Sequence, residues 1–304
     1  MTMKCDWCDN VAVFSRKYSG ENLCSECFTN SLVRKTAKTV SKYKMIQRGD
    51  VVGVAVSGGK DSLSLLHVLK QISLSHDFTI KAITIDEGIP GYRDEALQIV
   101  SDFCNNLQVP HKVYSYKDLF GTTLEESLEN SSDKISSCSI CGVLRRRAID
   151  FAAKELGVDV IATGHNMDDF LQTFIINLLS GDTKKIGWMN PLSDNKERRI
   201  KPFCEIYENE IVFYAFTNEI PFQSEECPHM NEGIRTDIRN FLNLLENNHS
   251  GVKNNIYKSI LKISSTVKYS NNIEWKICSK CGTECTSETC SVCNTLTNLG
   301  LNQP

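Results

Sequence analysis

A chain of 304 residues, 41% hydrophobic and 23% charged, is long enough for one enzyme core with small appendages and has a globular composition. It has no apolar run of roughly eighteen residues, which excludes a transmembrane helix, and its opening MTMKCDWCDN is polar and unlike a secretory signal, so a cytosolic protein is expected. The formal net charge of −3 excludes indiscriminate nucleic-acid binding but leaves room for a local basic surface. Cytosolic thiols stay reduced, so the fourteen cysteines read as metal ligands or catalytic groups, not as a disulfide framework.

The first cysteines, Cys5, Cys8, Cys24 and Cys27, form two Cys-x-x-Cys pairs. Two tight turns that each present two sulfurs make a tetrahedral four-thiolate site, with zinc as the expected ion and iron as its competitor. Such a site folds a short segment that cannot bury enough core alone; a zinc ribbon can also offer a surface to RNA. Next comes SLVRKTAKTVSKYKMIQRGD, predicted as a helix carrying Arg34, Lys35, Lys38, Lys42 and Lys44. It reads either as a solvated linker or as a contact for an RNA backbone.

The run DVVGVAV predicts a buried parallel strand, and LSLLHVL the helix after it. Between them stand Ser57, Gly58, Gly59, Lys60, Asp61 and Ser62, where a glycine turn aims backbone N–H groups and a helix N-terminus at one point. That arrangement suits phosphate, but the spacing is neither Walker nor G-x-G-x-x-G. SGGKDS resembles instead the PP-loop of the N-type ATP pyrophosphatases, which implies bound ATP with magnesium.

Further units alternate. FTIKAITIDEGI predicts a strand ending at Asp86, GYRDEALQIVSDFCNNLQV a helix, PHKVYSYKDLF a strand, and CGVLRRRAIDFAAKELG a helix. VDVIATGHNMDDFLQTFIINLLSG adds a strand and a helix, with Gly164, His165, Asp168 and Asp169 at their junction. The two aspartates either cap the helix or face a bound triphosphate, holding magnesium or taking a proton; His165 reads equally as core or site. The alternation predicts a doubly wound parallel α/β sheet, Rossmann-like, with ligands at the carboxyl ends of its strands.

One Cys-x-x-Cys pair, Cys138 and Cys141, stands apart and is followed by Arg145, Arg146 and Arg147. Adjacent arginines diverge around a helix, so one, Arg145, is expected to lean toward the cysteines or a substrate phosphate and the others toward RNA or solvent. Lys184, Lys185, Lys196, Arg198, Arg199 and Lys201 form a second basic region suited to an RNA backbone. The last pairs, Cys278, Cys281, Cys290 and Cys293, predict a second zinc module; Cys285, Cys104 and Cys204 read as incidental or buried thiols. The chain then divides into a zinc module at 1–30, a basic linker helix at 31–49, the ATP domain at 50–270, and a zinc module at 271–304.

Taken in order, the flanking pairs, SGGKDS, TIDEGIPGYRDE, CSICGVLRRR, TGHNMDD, RRIKPF and EECPH resemble the TtuA/NcsA group of tRNA uridine 2-thiolases, relatives of the TtcA cytidine thiolases. The resemblance implies that ATP adenylates the C2 oxygen of a tRNA uridine and that sulfur then replaces it. It implies a [4Fe–4S] cluster held by Cys138, Cys141 and Cys227, with one iron left open, and candidate catalytic or magnesium roles for Asp61 and Asp169. A homodimer and a sulfur donor, either sulfide or a ubiquitin-like thiocarboxylate carrier, are implied as well. CPHMNEGIRTDIRNFLNLLENNHSGVKNNIY looks closer to the branch acting on uridine 54 than to the uridine 34 branch. Other readings stay open: a catalytic dithiol that passes through a persulfide, half of a third zinc site, a cytidine thiolase, or a zinc-ribbon tRNA-binding protein.

Overall fold

The computed structural model describes residues 3–129, 136–191, 198–229, 233–270 and 276–301. Lys196 of the expected basic region lies outside them. A hairpin, β1 (Phe14–Arg16) and β2 (Glu21–Leu23), leads into α1 (Ser25–Lys42). The central units are β3 (Val51–Ala55), α2 (Lys60–Ser73), β4 (Thr79–Asp86), α3 (Arg93–Asn106), β5 (His111–Ser115), α4 (Tyr116–Phe120), α5 (Leu124–Glu129) and α6 (Ser137–Glu155). They continue through β6 (Val160–Ala162), α7 (Met167–Leu179), α8 (Thr183–Gly187), β7 (Arg198–Ile200), α9 (Glu208–Thr217), α10 (Gly233–Asn248) and α11 (Val252–Ser270). The hairpin β8 (Lys276–Ile277) and β9 (Glu284–Cys285) and the helix α12 (Ser291–Asn298) close the chain.

Five parallel strands in the order β5-β4-β3-β6-β7 form the main sheet, as the alternating pattern predicts. Val54 of β3 lies between Ala82 and Ala162, and helices cover both faces, which is why β3 is continuously apolar and β4 is buried from Ala82 to Ile85. The chain turns to β4 on one side of β3 and to β6 on the other. A crevice opens at that reversal beyond the carboxyl ends of β3, β4 and β6, where SGGKDS, DEG and TGHN begin.

Several local readings change. Strand β5 stops at Ser115, whose hydroxyl accepts the Asp118 N–H and starts α4, burying Tyr116 and Phe120 where the sequence predicts a longer strand. Helix α6 begins at Ser137, because Ser136 caps it, so Cys138 and Cys141 both sit within its first five residues. Strand β7, not expected from the sequence, adds parallel to β6. The boundary drawn at residue 30 falls inside one continuous helix, since α1 starts directly after Cys24, whose sulfur accepts the Cys27 N–H. Lys44 lies beyond that helix with φ at +51°.

Both small modules are docked by specific contacts. Arg16 of the N-terminal hairpin is 4% exposed and donates to Glu210 of α9, 1% exposed, at 2.7 Å. At the other end Leu296 and Leu299 join the apolar cluster of Ile140, Leu144 and Ala148 on α6. Among the described residues, no helix is long and apolar enough to cross a membrane.

Candidate functional site

The phosphate loop leaves β3 at Ser57 and enters α2 at Lys60. Gly58 has φ +92°, and a Cβ there would lie 2.8 Å from that of Ala96, so no other residue fits without strain. The Ser62 hydroxyl accepts the Ser57 N–H at 3.1 Å and donates to the Gly59 carbonyl at 2.9 Å, which closes the turn around the helix start. Gly164 abuts the same turn: a Cβ there would meet the Asp61 carbonyl carbon at 2.9 Å and the Ser62 nitrogen at 3.0 Å. Ser57 to Ser62 and Gly164 are thus brought together as expected, with the positive end of α2 facing the crevice.

Carboxylates ring that point. The Lys60 ammonium lies between Asp61 at 2.9 Å and Glu208 at 3.1 Å, and Asn166 donates to Asp61 at 3.1 Å. Asp169 accepts the Asn166 N–H at 3.0 Å while Asn166 accepts that of Asp169 at 3.1 Å, a reciprocal cap on α7. Burial, then the negative Asp61 and Glu208, raise the Asp169 carboxyl to about 6. Asp168 points elsewhere: it is 4% exposed, pairs with Lys253 and accepts the Glu208 N–H at 2.9 Å. Asp86 accepts the Gly88 N–H at 2.9 Å and so shapes the turn after β4.

His165 bonds the Thr163 hydroxyl at 2.9 Å, its ring edge open to a cavity while protein crowds the rest. Burial, then the positive Lys201, Arg235 and Arg199, push it down to about 4, so the ring is neutral at pH 7. That cavity, about 320 Å³, is lined by His165, Asp169, Phe170, Trp188 and Lys201 among others and adjoins the phosphate loop through Asp169. A larger hollow of about 500 Å³ lies between the N-terminal hairpin, α9 and α10, but none of Ser57–Ser62 and none of the cysteines line it.

The isolated cysteines gather at the start of α6. Cys138 lies 3.6 Å from the His229 carbonyl, two residues beyond Cys227, and Cys227 packs in the same apolar cluster as the buried Cys141. The Arg145 guanidinium donates to the Cys141 sulfur at 3.2 Å and to Glu87 at 2.7 Å. Arg146 is exposed, while Arg147 turns to the C-terminal module, donating to Cys281 at 3.3 Å and Cys290 at 3.4 Å. The expectation of RNA or solvent is therefore corrected for Arg147, whose charge meets metal-site thiols.

Sulfur spacing separates two kinds of site. Among the described residues, only the two terminal sets of four cysteines bring at least three ligand atoms within 4.8 Å of one another. Sulfurs 3.6 Å apart in the first set (Cys8 with Cys24 and with Cys27) and 3.7 Å in the second (Cys281 with Cys290) fit the roughly 3.8 Å edge of a tetrahedron with 2.3 Å metal–sulfur bonds. Cys138, Cys141 and Cys227 share one locality without that close spacing.

The basic patches are thinner than their sequence suggests. Lys35 bonds Tyr18 and Glu210, Lys42 pairs with Glu205, Arg198 with Asp50, and Arg199 with Asp150. Arg34, Lys38 and Lys184 stay exposed. Glu208, Asn166, Glu87, Arg93 and Gln223 escape a reading of the sequence as site residues, for none belongs to a spaced motif of one residue type.

Comparison with known proteins agrees with this geometry. The PP-loop domain family matches residues 29–245, and the N-terminal LIM domain of 2-thiouridine synthetase TtuA matches residues 4–29. Relatives include cytoplasmic tRNA 2-thiolation protein 1 of Drosophila erecta, 37% identical, and of Drosophila ananassae, 35% identical, each alignment covering 98% of this chain and 88% of the relative. The solved structure of U34-tRNA thiolase NcsA from Methanococcus maripaludis with its [4Fe-4S] cluster matches with a TM-score of 0.84 at 31% identity, over 100% of this chain and 98% of that one. Likeness of that extent, in sequence and fold alike, makes this protein a member of the PP-loop family of tRNA 2-thiolation enzymes.

Proposed function

We propose that this chain is an ATP-dependent sulfurtransferase that converts uridine 34 of cytoplasmic tRNA to 2-thiouridine. One observation carries the reading: an intact phosphate loop is joined through Arg93, Glu87 and Arg145 to Cys141, on a fold alike over its whole length to a U34-tRNA thiolase. Uridine 34 is preferred to uridine 54 on the same likeness, although the segment from Cys227 to Tyr257 leans toward the other branch.

Ser57–Ser62, Gly164 and the N-terminus of α2 hold the ATP phosphates, and Asp61 and Asp169 supply carboxylates for magnesium or for a proton. The flipped uridine offers its C2 oxygen to the α-phosphorus. That oxygen bonds to phosphorus as the N3 proton leaves, and the bond to the β-phosphate oxygen breaks to release pyrophosphate. Hydrosulfide then adds at C2, the C2–O bond breaks to release AMP, and a proton returns to N3. Cys138, Cys141 and Cys227 would hold a [4Fe–4S] cluster, which would supply Lewis-acidic iron for handling the sulfur to be transferred. Arg145 balances the thiolate charge at Cys141, and both terminal sets hold structural zinc. The chain works as a homodimer, fed by sulfide or by a carrier thiocarboxylate.

The test is anaerobic purification, metal and sulfide analysis, and incubation with unmodified tRNA, ATP, magnesium and sulfide, with position-resolved nucleoside mass spectrometry. The expected product is 2-thiouridine at position 34, together with iron bound by the wild type and lost in Cys227→Ala. Thiolation at 54 would overturn the position, iron-free activity would favour the dithiol, and no thiolated nucleoside would end the enzyme assignment.

A further inference from the structure

We propose that Glu87 is a positioning residue that couples the sulfur half of the site to the ATP half, so that occupancy by the cluster tightens ATP binding. The inference rests on the cluster reading above and adds a coupling to it.

The connection is buried at Glu87 and Arg93 and half-exposed at Arg145. From the Cys141 sulfur, Arg145 lies at 3.2 Å and reaches one Glu87 oxygen at 2.7 Å. The other oxygen of Glu87 lies 2.8 Å from Nε of Arg93, an ion pair whose angle makes no hydrogen bond. Arg93 then donates to the Ser57 carbonyl at 2.9 Å and to the Ile85 carbonyl at 2.7 Å. Its guanidinium thus pins the first residue of the phosphate loop to the end of β4. The Glu87 and Arg93 side chains are 3% and 5% exposed, so water cannot stand in for either of these two partners.

A second tie runs in parallel. The N–H of Gln223 donates to the Gly58 carbonyl at 3.0 Å, and its side chain donates to the Tyr92 carbonyl at 2.6 Å. Gln223 lies four residues before Cys227, on the segment that carries the third ligand. Both cysteine-bearing elements are therefore anchored to adjacent carbonyls of one phosphate loop.

Geometry gives the direction. Arg145 meets the Cys141 sulfur at 3.2 Å, so whatever that sulfur holds sets where the guanidinium lies against Glu87. A metal-bound thiolate then fixes Arg145, which leaves Glu87 and Arg93 held in one arrangement and the loop carbonyls with them. A loop already fixed in its binding geometry loses less freedom on taking up the nucleotide. Reciprocity requires that ATP act back on the cluster through the same groups.

The test measures the Kd of α,β-methylene ATP with magnesium by anaerobic calorimetry, for cluster-loaded and cluster-free protein, after iron and sulfide have been quantified. Wild type is expected to bind about fivefold or more tightly when loaded, and Glu87→Gln to reduce that difference to under about twofold. Adding the analogue should change the visible circular dichroism of the wild-type cluster and leave that of Glu87→Gln unchanged. Arg145→Gln, at a side chain 46% exposed, breaks the same chain without stranding a buried charge and carries the test if Glu87→Gln does not fold. Equal affinities in loaded and cluster-free wild type, or a folded variant that keeps the wild-type difference, overturn the coupling alone. A wild type that takes up no iron overturns the cluster reading and the coupling together.

Discussion

At the scale of a residue, Asp169 shows how position sets chemistry. Its neighbour Asp168 has the same side chain but a buried lysine partner, whereas Asp169 faces Asp61 and Glu208 and is raised from 3.8 to about 6. Between those two values the folded protein holds more protons than the unfolded chain, so stability falls as pH rises through the window. Asp169→Asn removes that cost and keeps the reciprocal cap through its amide oxygen. Without nucleotide and magnesium, the variant should gain on the order of 1–3 kcal/mol at about pH 7.5, a gain that shrinks below pH 6 and is gone near pH 4. Thermal melts across that range check it; equal midpoints at every pH would mean an ordinary carboxyl. The pair Asp168-Asp169 is visible in sequence, but the division of labour is not, because Lys253 lies 85 residues away. Glu87 is equally hidden. Locally it is one acid at a strand end, and its meaning comes from Arg145, 58 residues on.

At the scale of an element, α6 sends two of its three consecutive arginines to different cysteine sites. A turn of about 100° per residue makes their divergence predictable; where each lands depends on what packs against the helix. Arg147 meets the second cysteine set because α12 lies along α6, and its N–H groups offset charge on a site that four thiolates would leave dianionic. Arg147→Met keeps the length of the side chain and removes those bonds. It should weaken metal retention at the C-terminal set by about 10–100-fold, with the N-terminal set unchanged. Zinc release to a chelator, followed against variants that lack one set or the other, reads this out; equal loss from both sets would refute it. The start of α6 is illegible in the sequence because the cap on Ser136 precedes any apolar periodicity. Helix α1 misleads in the other direction: its lysines look like a free basic face, yet Lys35 and Lys42 are taken by acids on distant elements.

At the scale of the whole molecule, β–α alternation makes the sheet and its ligand edge legible, because a strand buried on both faces leaves an apolar run and a phosphate turn leaves its glycines. How the modules sit is not legible, since the docking groups are single polar residues without a pattern. The N-terminal module shows the consequence. Arg16 donates to Glu210, Glu21 and Ser31, while Glu210 also takes Tyr18 at 3.0 Å and Lys35 at 3.2 Å. Glu210→Leu leaves the buried guanidinium with Glu21 as its one acidic partner and the Lys35 ammonium without its own, and should destabilise the zinc-loaded chain by about 3 kcal/mol. Arg16→Met with Glu210→Leu removes both main charges and should recover more than half of that loss, because an apolar pair of similar volume replaces an ion pair that had to be desolvated. Denaturant unfolding of the two single variants and the double gives the cycle. In Glu210→Leu the N-terminal zinc should also leave faster to a chelator, since the hairpin is freed from α9, and the double variant should slow it again. A double variant no more stable than Glu210→Leu would show that shape, not charge pairing, holds the module in place.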